Sequence, residues 1–197
     1  MKTMRIVLGV ALLLGVTAEA RAQDWYWGGG YSVGLPLSDT KDFTSSTSFR
    51  GVVLEGRKMV NEHVTAGLSF GWNVFDRQLD TTTVFEGGAA IGGNQWRYTN
   101  AFPLYANLHY YLGEANSLRP FIGANVGTIY TERRVDINLY SLSEDAWQFA
   151  FAPEVGVVFP LGWVVRGFAS ARWNYSLEGS GVPSQQYVSF NIGFASR

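Results

Sequence analysis

Cysteine is absent from this chain of 197 residues, which excludes disulfide bonds and a lipid attached to a cysteine at an export cleavage site. Charged residues are few and balanced, since 15 Lys and Arg against 16 Asp and Glu give a net charge of -1. This composition offers no basic surface, and we expect no nucleic-acid partner. Beyond the first residues the chain has no stretch of about 18 apolar residues, so the sequence predicts no transmembrane helix.

The first 22 residues have the pattern of an export signal. Two basic residues precede a short apolar stretch at 6–16, and Ala20 and Ala22 form a cleavage site with small residues at both ends. An uncleaved anchor helix is the alternative, but it needs about 20 apolar residues. We therefore expect a signal peptide at 1–22 and a mature chain, 23–197, that folds as one domain.

Alternation of large apolar residues with small or polar ones is the main pattern of the mature chain. In its first segment, Trp25, Trp27 and Tyr31 alternate with glycine and serine. A strand sends successive side chains to opposite faces, so such a segment has one apolar face and one small, polar face. A soluble lipocalin-like barrel would need an apolar lumen. The small and polar second face instead predicts a barrel whose apolar side contacts lipid.

The alternation and the turn residues between its segments predict eight strands. The strands lie at 24–37, 47–58, 63–75, 95–111, 118–130, 147–159, 163–176 and 185–195. Short connections near 59–62, 112–117 and 160–162 alternate with longer polar ones near 38–46, 76–94, 131–146 and 177–184, as in bacterial outer-membrane barrels. Unpaired strand edges are costly in hydrocarbon, so the last strand must pair with the first. The predicted fold is all-β, an eight-stranded antiparallel up-and-down transmembrane β-barrel.

The tryptophans support this interpretation independently. All seven lie on the predicted outward face, near strand ends: Trp25, Trp27, Trp72, Trp96, Trp147, Trp163 and Trp173. Aromatic residues favour strands in general, but that preference does not explain a shared face or a position near the ends. We expect two aromatic girdles at the two membrane interfaces.

Charged residues lie on the inward face of the predicted strands. We expect them to form an ion network in the lumen: Glu55, Arg57, Glu154, Arg166 and Arg172. Buried charges must be paired, so one interpretation is a polar plug that satisfies its own charges. The other is a gate or path for solutes. The lumen of an eight-stranded barrel is only wide enough for side chains to fill, which favours the plug.

Catalytic and metal-binding patterns are not found. The only histidines, His63 and His109, are predicted near the short turns, whereas a lipid-modifying enzyme would need a histidine, a serine and an acid near the outer rim. The acidic residues of the loop at 131–146 are too few for a calcium site. The glycine-rich segment at 85–93 lacks the Lys-Ser/Thr of a phosphate-binding loop and is predicted to be a flexible loop. We expect no enzyme activity, cofactor or metal.

Two further runs, at 120–127 and 187–194, place glycine and asparagine on one face and apolar residues on the other. With the strand pattern, they resemble the small eight-stranded outer-membrane proteins, such as outer membrane protein X and the membrane domain of outer membrane protein A. The resemblance implies a Gram-negative-type outer membrane, with lipid, lipopolysaccharide and the barrel-insertion machinery as partners. It also implies an internal Glu/Arg cluster, which Glu55, Glu154 and Arg172 could supply. We expect a monomer with a structural or surface-interaction role; a narrow solute path and a lipid-modifying enzyme are the alternatives.

Overall fold

The computed structural model describes residues 25–84, 90–114, 117–137 and 140–196, with side chains described outside 80–94. The signal peptide predicted at 1–22 lies outside these residues. Within the described residues, no helix has the length and apolar character needed to span a membrane.

Eight antiparallel strands form a closed barrel, in which β8 pairs with β1. The strands are β1 (Trp25–Leu37), β2 (Gly51–Met59), β3 (Val64–Val84), β4 (Ala90–Tyr111), β5 (Arg119–Ile137), β6 (Tyr140–Pro160), β7 (Val165–Ser176) and β8 (Gln185–Ser196). A six-residue helix, α1 (Ser38–Phe43), follows β1. The predicted all-β, eight-stranded antiparallel topology is confirmed. Closure pairs the backbone groups that an open sheet would expose to lipid.

The inward and outward faces follow the predicted alternation. Along β4, the odd-numbered residues of 101–111 are buried, whereas the even-numbered residues of 104–110 are exposed. Large apolar side chains cover the outside of the barrel; Leu68 is 62% exposed, Ile122 58% and Phe194 64%. A soluble protein would bury such residues, whereas a barrel in a bilayer covers them with lipid.

Four strands run well beyond their predicted ends. β3 reaches Val84, β4 begins at Ala90, β5 reaches Ile137 and β6 begins at Tyr140. The long loops predicted at 76–94 and 131–146 are therefore wrong in extent, because their polar residues continue to pair across the hairpins. Of the loop predicted at 85–93, residues 85–89 lie outside the described residues and the rest is strand.

Beyond the barrel these four strands form a smaller sheet, named here the outer sheet (76–84, 90–98, 132–137 and 140–145). The β2–β3 ladder ends at Asn73 and the β6–β7 ladder at Ala150. In the described residues, the outer parts of β3 and β6 therefore each have one strand neighbour and one free edge. In the part of the chain that the structure describes, strand edges are therefore presented at the long-loop end and not at the short-turn end.

The segment that follows β1 folds back into the long-loop mouth of the barrel. Thr40 of α1 is 1% exposed; its hydroxyl donates to Gln185 Oε1 at 3.1 Å and accepts from the Gln186 backbone N–H at 2.9 Å. Phe43 lies against two inward-facing arginines, with Cζ of Arg133 at 4.6 Å from its ring centroid and Cζ of Arg97 at 5.3 Å. The loop predicted at 38–46 is thus partly helical and covers the lumen.

Candidate functional site

The ionic layer, formed by Glu55, Arg57, Glu154 and Arg172, crosses the lumen in the half of the barrel near the short turns. All four residues are buried. Arg172 joins the two acids, because its Nη2 lies 2.8 Å from Glu55 Oε1 and 2.9 Å from Glu154 Oε2. Glu55 Oε2 also pairs with Arg57 Nη2. Two carboxylates and two guanidinium groups therefore compensate one another within a single layer.

Strand register brings these residues together from distant parts of the chain. Glu154 on β6 lies directly opposite Arg172 on β7. Glu55 on β2 lies opposite Ser69 on β3, whose hydroxyl accepts a hydrogen bond from Arg172 Nη1 at 3.5 Å. Long side chains from opposite walls meet at the axis because an eight-stranded barrel is narrow.

His109, on β4, completes the surroundings of Glu154. Its Nε2 lies 3.4 Å from Glu154 Oε2, and Asn125 Nδ2 donates to the same oxygen at 3.1 Å. The imidazole stacks on Phe121 with the ring centroids 4.9 Å apart. Gly123 is the register partner of His109, and a Cβ at this glycine would lie 2.5 Å from the imidazole Cδ2. The glycine therefore provides the space that the histidine ring occupies.

A cavity, named here the vestibule, separates the ionic layer from the short turns. Its empty space is about 550 Å³, a value that includes the open solvent at its mouth. Arg57 belongs both to the ionic layer and to the wall of the vestibule, where its Nη1 donates a hydrogen bond to the Tyr111 hydroxyl at 2.6 Å. Arg166, the fifth residue of the predicted network, lines the vestibule, with its Cζ 5.7 Å from the Tyr26 ring centroid. The structure thus brings four of the five predicted residues into the ionic layer and places Arg166 nearer the short turns, in the wall of the vestibule.

The packed layer fills the lumen on the other side of the ionic layer, toward the long loops. It consists of seven buried side chains: Phe75, Ala101, Tyr105, Ile129, Ala150, Ala152 and Tyr187. Phe75 and Tyr187 meet edge to face, with ring centroids 5.2 Å apart. The Tyr105 hydroxyl donates to Asn174 Oδ1 at 3.2 Å. Arg172 Cζ lies 5.9 Å from the Tyr105 ring centroid, so the two layers are in direct contact.

Aromatic side chains form a continuous outer row on neighbouring strands. Trp72, Phe102, Tyr130 and Trp147 follow one another from β3 to β6, with neighbouring ring centroids 6.1, 6.1 and 5.1 Å apart. Amphipathic rings in such a row are typical of a membrane interface. Trp72 and Trp147 were predicted near strand ends. That part of the prediction is wrong, because β3 and β6 continue past this row.

The other five tryptophans lie on the outside of the molecule at different levels along the barrel axis. Trp25 and Trp27 stack on each other at the short-turn end, with centroids 5.9 Å apart. Trp96 stacks on Tyr98 within β4, and Trp173 is 39% exposed on β7. Trp163 is fully exposed and lies in the short turn that precedes β7, which begins at Val165 and so two residues later than predicted. The turn places it at the end of the barrel opposite the row of Trp72.

Among the described side chains, neither histidine lies at the outer rim. His63 lies at the short-turn end and stacks on Tyr110, with ring centroids 6.0 Å apart, and His109 is buried in the lumen. Within the described parts of the chain, no group of three or more His, Asp or Glu side chains is placed to hold a metal ion.

In the outer sheet, hydrogen bonds from Ser141 and Arg134 lower the pKa of Asp136.

The comparisons with known proteins agree with this architecture. A family model described as the outer membrane protein beta-barrel domain matches residues 8–195. The chain belongs to this family. It is therefore an outer-membrane β-barrel protein.

Solved barrels share the fold at low sequence identity. Neisserial surface protein A is 12% identical, with a TM-score of 0.56 over 87% of this chain and 96% of that one. The attachment invasion locus protein of Yersinia pestis, in complex with the heparin analogue sucrose octasulfate, is 13% identical, with a TM-score of 0.50 over 88% of this chain and 95% of that one. No curated protein matches the chain. At these identities the likeness establishes the fold alone.

Proposed function

We propose that this barrel is non-enzymatic, is closed to ions and solutes, and acts in the envelope structurally or through its outer sheet. The main support for the proposal is that three layers of structure lie one after another along the barrel axis. A solute that enters from the vestibule meets the ionic layer, then the packed layer, and then α1. The side chains of Glu55, Glu154 and Arg172 are each no more than 5% exposed.

The outer sheet is the part of the molecule suited to contact other molecules. Its two free strand edges offer backbone donors and acceptors to an extended partner. The two faces of the β5–β6 hairpin differ in character. Tyr140, 67% exposed, and Leu142, 64% exposed, lie opposite Ile137 and Val135 on one face, whereas the Arg134–Asp136 ion pair lies on the other face. Such a surface supports an interaction role.

The envelope itself supplies the remaining proposed partners. The exposed apolar belt requires lipid acyl chains around the barrel, and the aromatic row from Trp72 to Trp147 would lie at the level of the outer headgroups, where lipopolysaccharide is expected. The barrel-insertion machinery is the proposed partner during assembly. The proposed unit is a monomer, since the β1–β8 pairing closes the barrel within one chain.

A narrow solute path is the second candidate, and the vestibule is the observation that favours it. Single-channel recording of the refolded protein in planar bilayers separates the two functions. The closed barrel predicts no resolved openings above the bilayer background. Discrete openings in the wild-type protein, with a selectivity that changes in Glu154→Gln, would overturn the closed barrel and establish the path.

A further inference from the structure

We propose that the vestibule is a binding site for a small organic anion, a carboxylate or a phosphate ester with an apolar portion. All eight strands contribute to its wall, so it lies on the barrel axis between the ionic layer and the short turns. In outer-membrane barrels the short turns face the periplasm. The ligand would therefore enter from the periplasmic side.

The charge of the vestibule favours an anion. Three arginines, Arg57, Arg119 and Arg166, line it together with a single carboxylate, that of Glu55. The Glu55 carboxylate is already engaged by both Arg57 and Arg172. The wall therefore carries a formal excess of positive charge, enclosed by strands whose outer faces contact lipid.

Arg119 is the residue most in need of an anionic partner. It is 4% exposed, and its Nη2 donates to the backbone carbonyl of Glu62 at 2.7 Å. Its Cζ lies 5.1 Å from the Tyr111 ring centroid. Among the described residues Arg119 forms no ion pair, and its Nε–H has no acceptor. A buried cation with only neutral partners is costly, and an anion in the vestibule would remove that cost.

The remaining wall favours a ligand that also has an apolar part. Met59, Val158 and Phe168 line the vestibule together with the rings of Tyr26 and Tyr111. Sites for small organic molecules are mostly apolar, with a few polar groups that orient the ligand. Guanidinium groups recognise carboxylate and phosphate with two parallel hydrogen bonds. The combination suits an aromatic or aliphatic acid better than an inorganic ion.

Ligand binding is tested on the full mature chain, refolded into nanodiscs of phosphatidylcholine, because this lipid carries no net charge. Isothermal titration uses benzoate and phenyl phosphate as probes, inorganic phosphate as the ion without an apolar part, and neutral benzamide as the matched control. We expect saturable binding of the first two, weaker binding of inorganic phosphate, and none of benzamide. Absence of saturable benzoate and phenyl phosphate binding, or equal binding of benzamide, would overturn the proposal.

Two variants locate the bound anion. Arg119→Gln should weaken benzoate binding by about tenfold or more, because it removes a charged donor. Arg134→Gln, in the outer sheet, removes the same charge far from the vestibule and should leave binding unchanged. Arg166→Gln, at a half-buried position, provides the same test if Arg119→Gln does not refold, as judged by heat-dependent gel mobility. Unchanged binding in the refolded vestibule variants would place the anion elsewhere and refute the site. None of these outcomes depends on whether the barrel conducts.

Discussion

The ionic layer, nearer the short turns, consists of four charged side chains, whereas the packed layer, nearer the long loops, consists of aromatic and small apolar ones. Under the proposed function both layers close the lumen, but by different means. The ionic layer depends on exact charge balance, since each group would be costly if left alone. The packed layer depends on filled volume, as in a soluble core.

The inward face of this narrow barrel is therefore not uniformly polar. Charge is tolerated where Arg172 can reach two carboxylates at once. In the packed layer the rings of Phe75 and Tyr187 occupy the lumen, and next to it the Thr131 hydroxyl donates to Gln148 Oε1 at 2.8 Å. Removal of one side chain should therefore have different consequences in the two layers.

The largest effect is expected in the ionic layer. Arg172→Met leaves Glu55 and Glu154 facing each other in the lumen without their shared cation. We expect a loss of about 3–5 kcal/mol in the free energy of unfolding, measured by urea titration in lipid vesicles. Arg134→Gln, which removes a charge from the exposed outer sheet, is the control and should cost less than about 1 kcal/mol. Equal costs for the two variants would mean that water screens the lumen charges.

A smaller loss is expected in the packed layer. Phe75→Ala opens a cavity next to Tyr187 and should cost about 3 kcal/mol, whereas Phe75→Leu retains part of the volume and should cost less. Because no charge is exposed, the cost should not change with salt concentration. A loss below about 1 kcal/mol would show that this half of the lumen is loosely filled.

The lipid-facing surface provides a contrast with both layers. Leu68 points away from the lumen, and Leu68→Arg should cost about 2–4 kcal/mol because it places a charge in the middle of the bilayer. Leu68→Ala is the control and should cost clearly less. If bilayer unfolding gave the same cost for both, Leu68 would not face lipid.

The smallest loss in the free energy of unfolding is expected at the long-loop mouth of the barrel, where α1 lies. Thr40→Ala removes the hydroxyl that links α1 to Gln185 and Gln186, and should cost about 1 kcal/mol. Ser45→Ala, at an exposed position of the same segment, should cost nothing measurable. The same urea titration reports both values, and a matching cost for the two would mean that α1 does not depend on these hydrogen bonds.

The sequence predicted the parts of this molecule that depend on alternation along a single strand. Strand number follows from alternation and the turn residues between segments, and closure follows from the cost of unpaired strand edges in lipid. The inward position of Glu55, Glu154 and Arg172 follows from parity. Parity does not give the register between strands. The contact between His109 and Glu154, which requires Gly123 opposite the imidazole, was therefore not predicted.

The outer sheet and α1 were missed for another reason. The polar composition of 76–84 predicts a loop, whereas the high β-propensity of Thr81, Thr82 and Thr83 favours the strand that the structure has there. The helix at 38–43 is too short and polar for a periodic signal. Its position depends on contacts with β1 and β8, which only the closed barrel creates.

A double-mutant cycle between Glu154 and Arg172 tests most directly whether the lumen is closed by dry, mutually compensating charge. The single variants Glu154→Gln and Arg172→Met and the double variant would be unfolded with urea in the same vesicles. A closed ionic layer predicts a coupling energy of about 2 kcal/mol or more, so that the double variant loses much less stability than the sum of the single losses. A coupling below about 1 kcal/mol, typical of exposed ion pairs, would contradict closure and indicate a hydrated lumen.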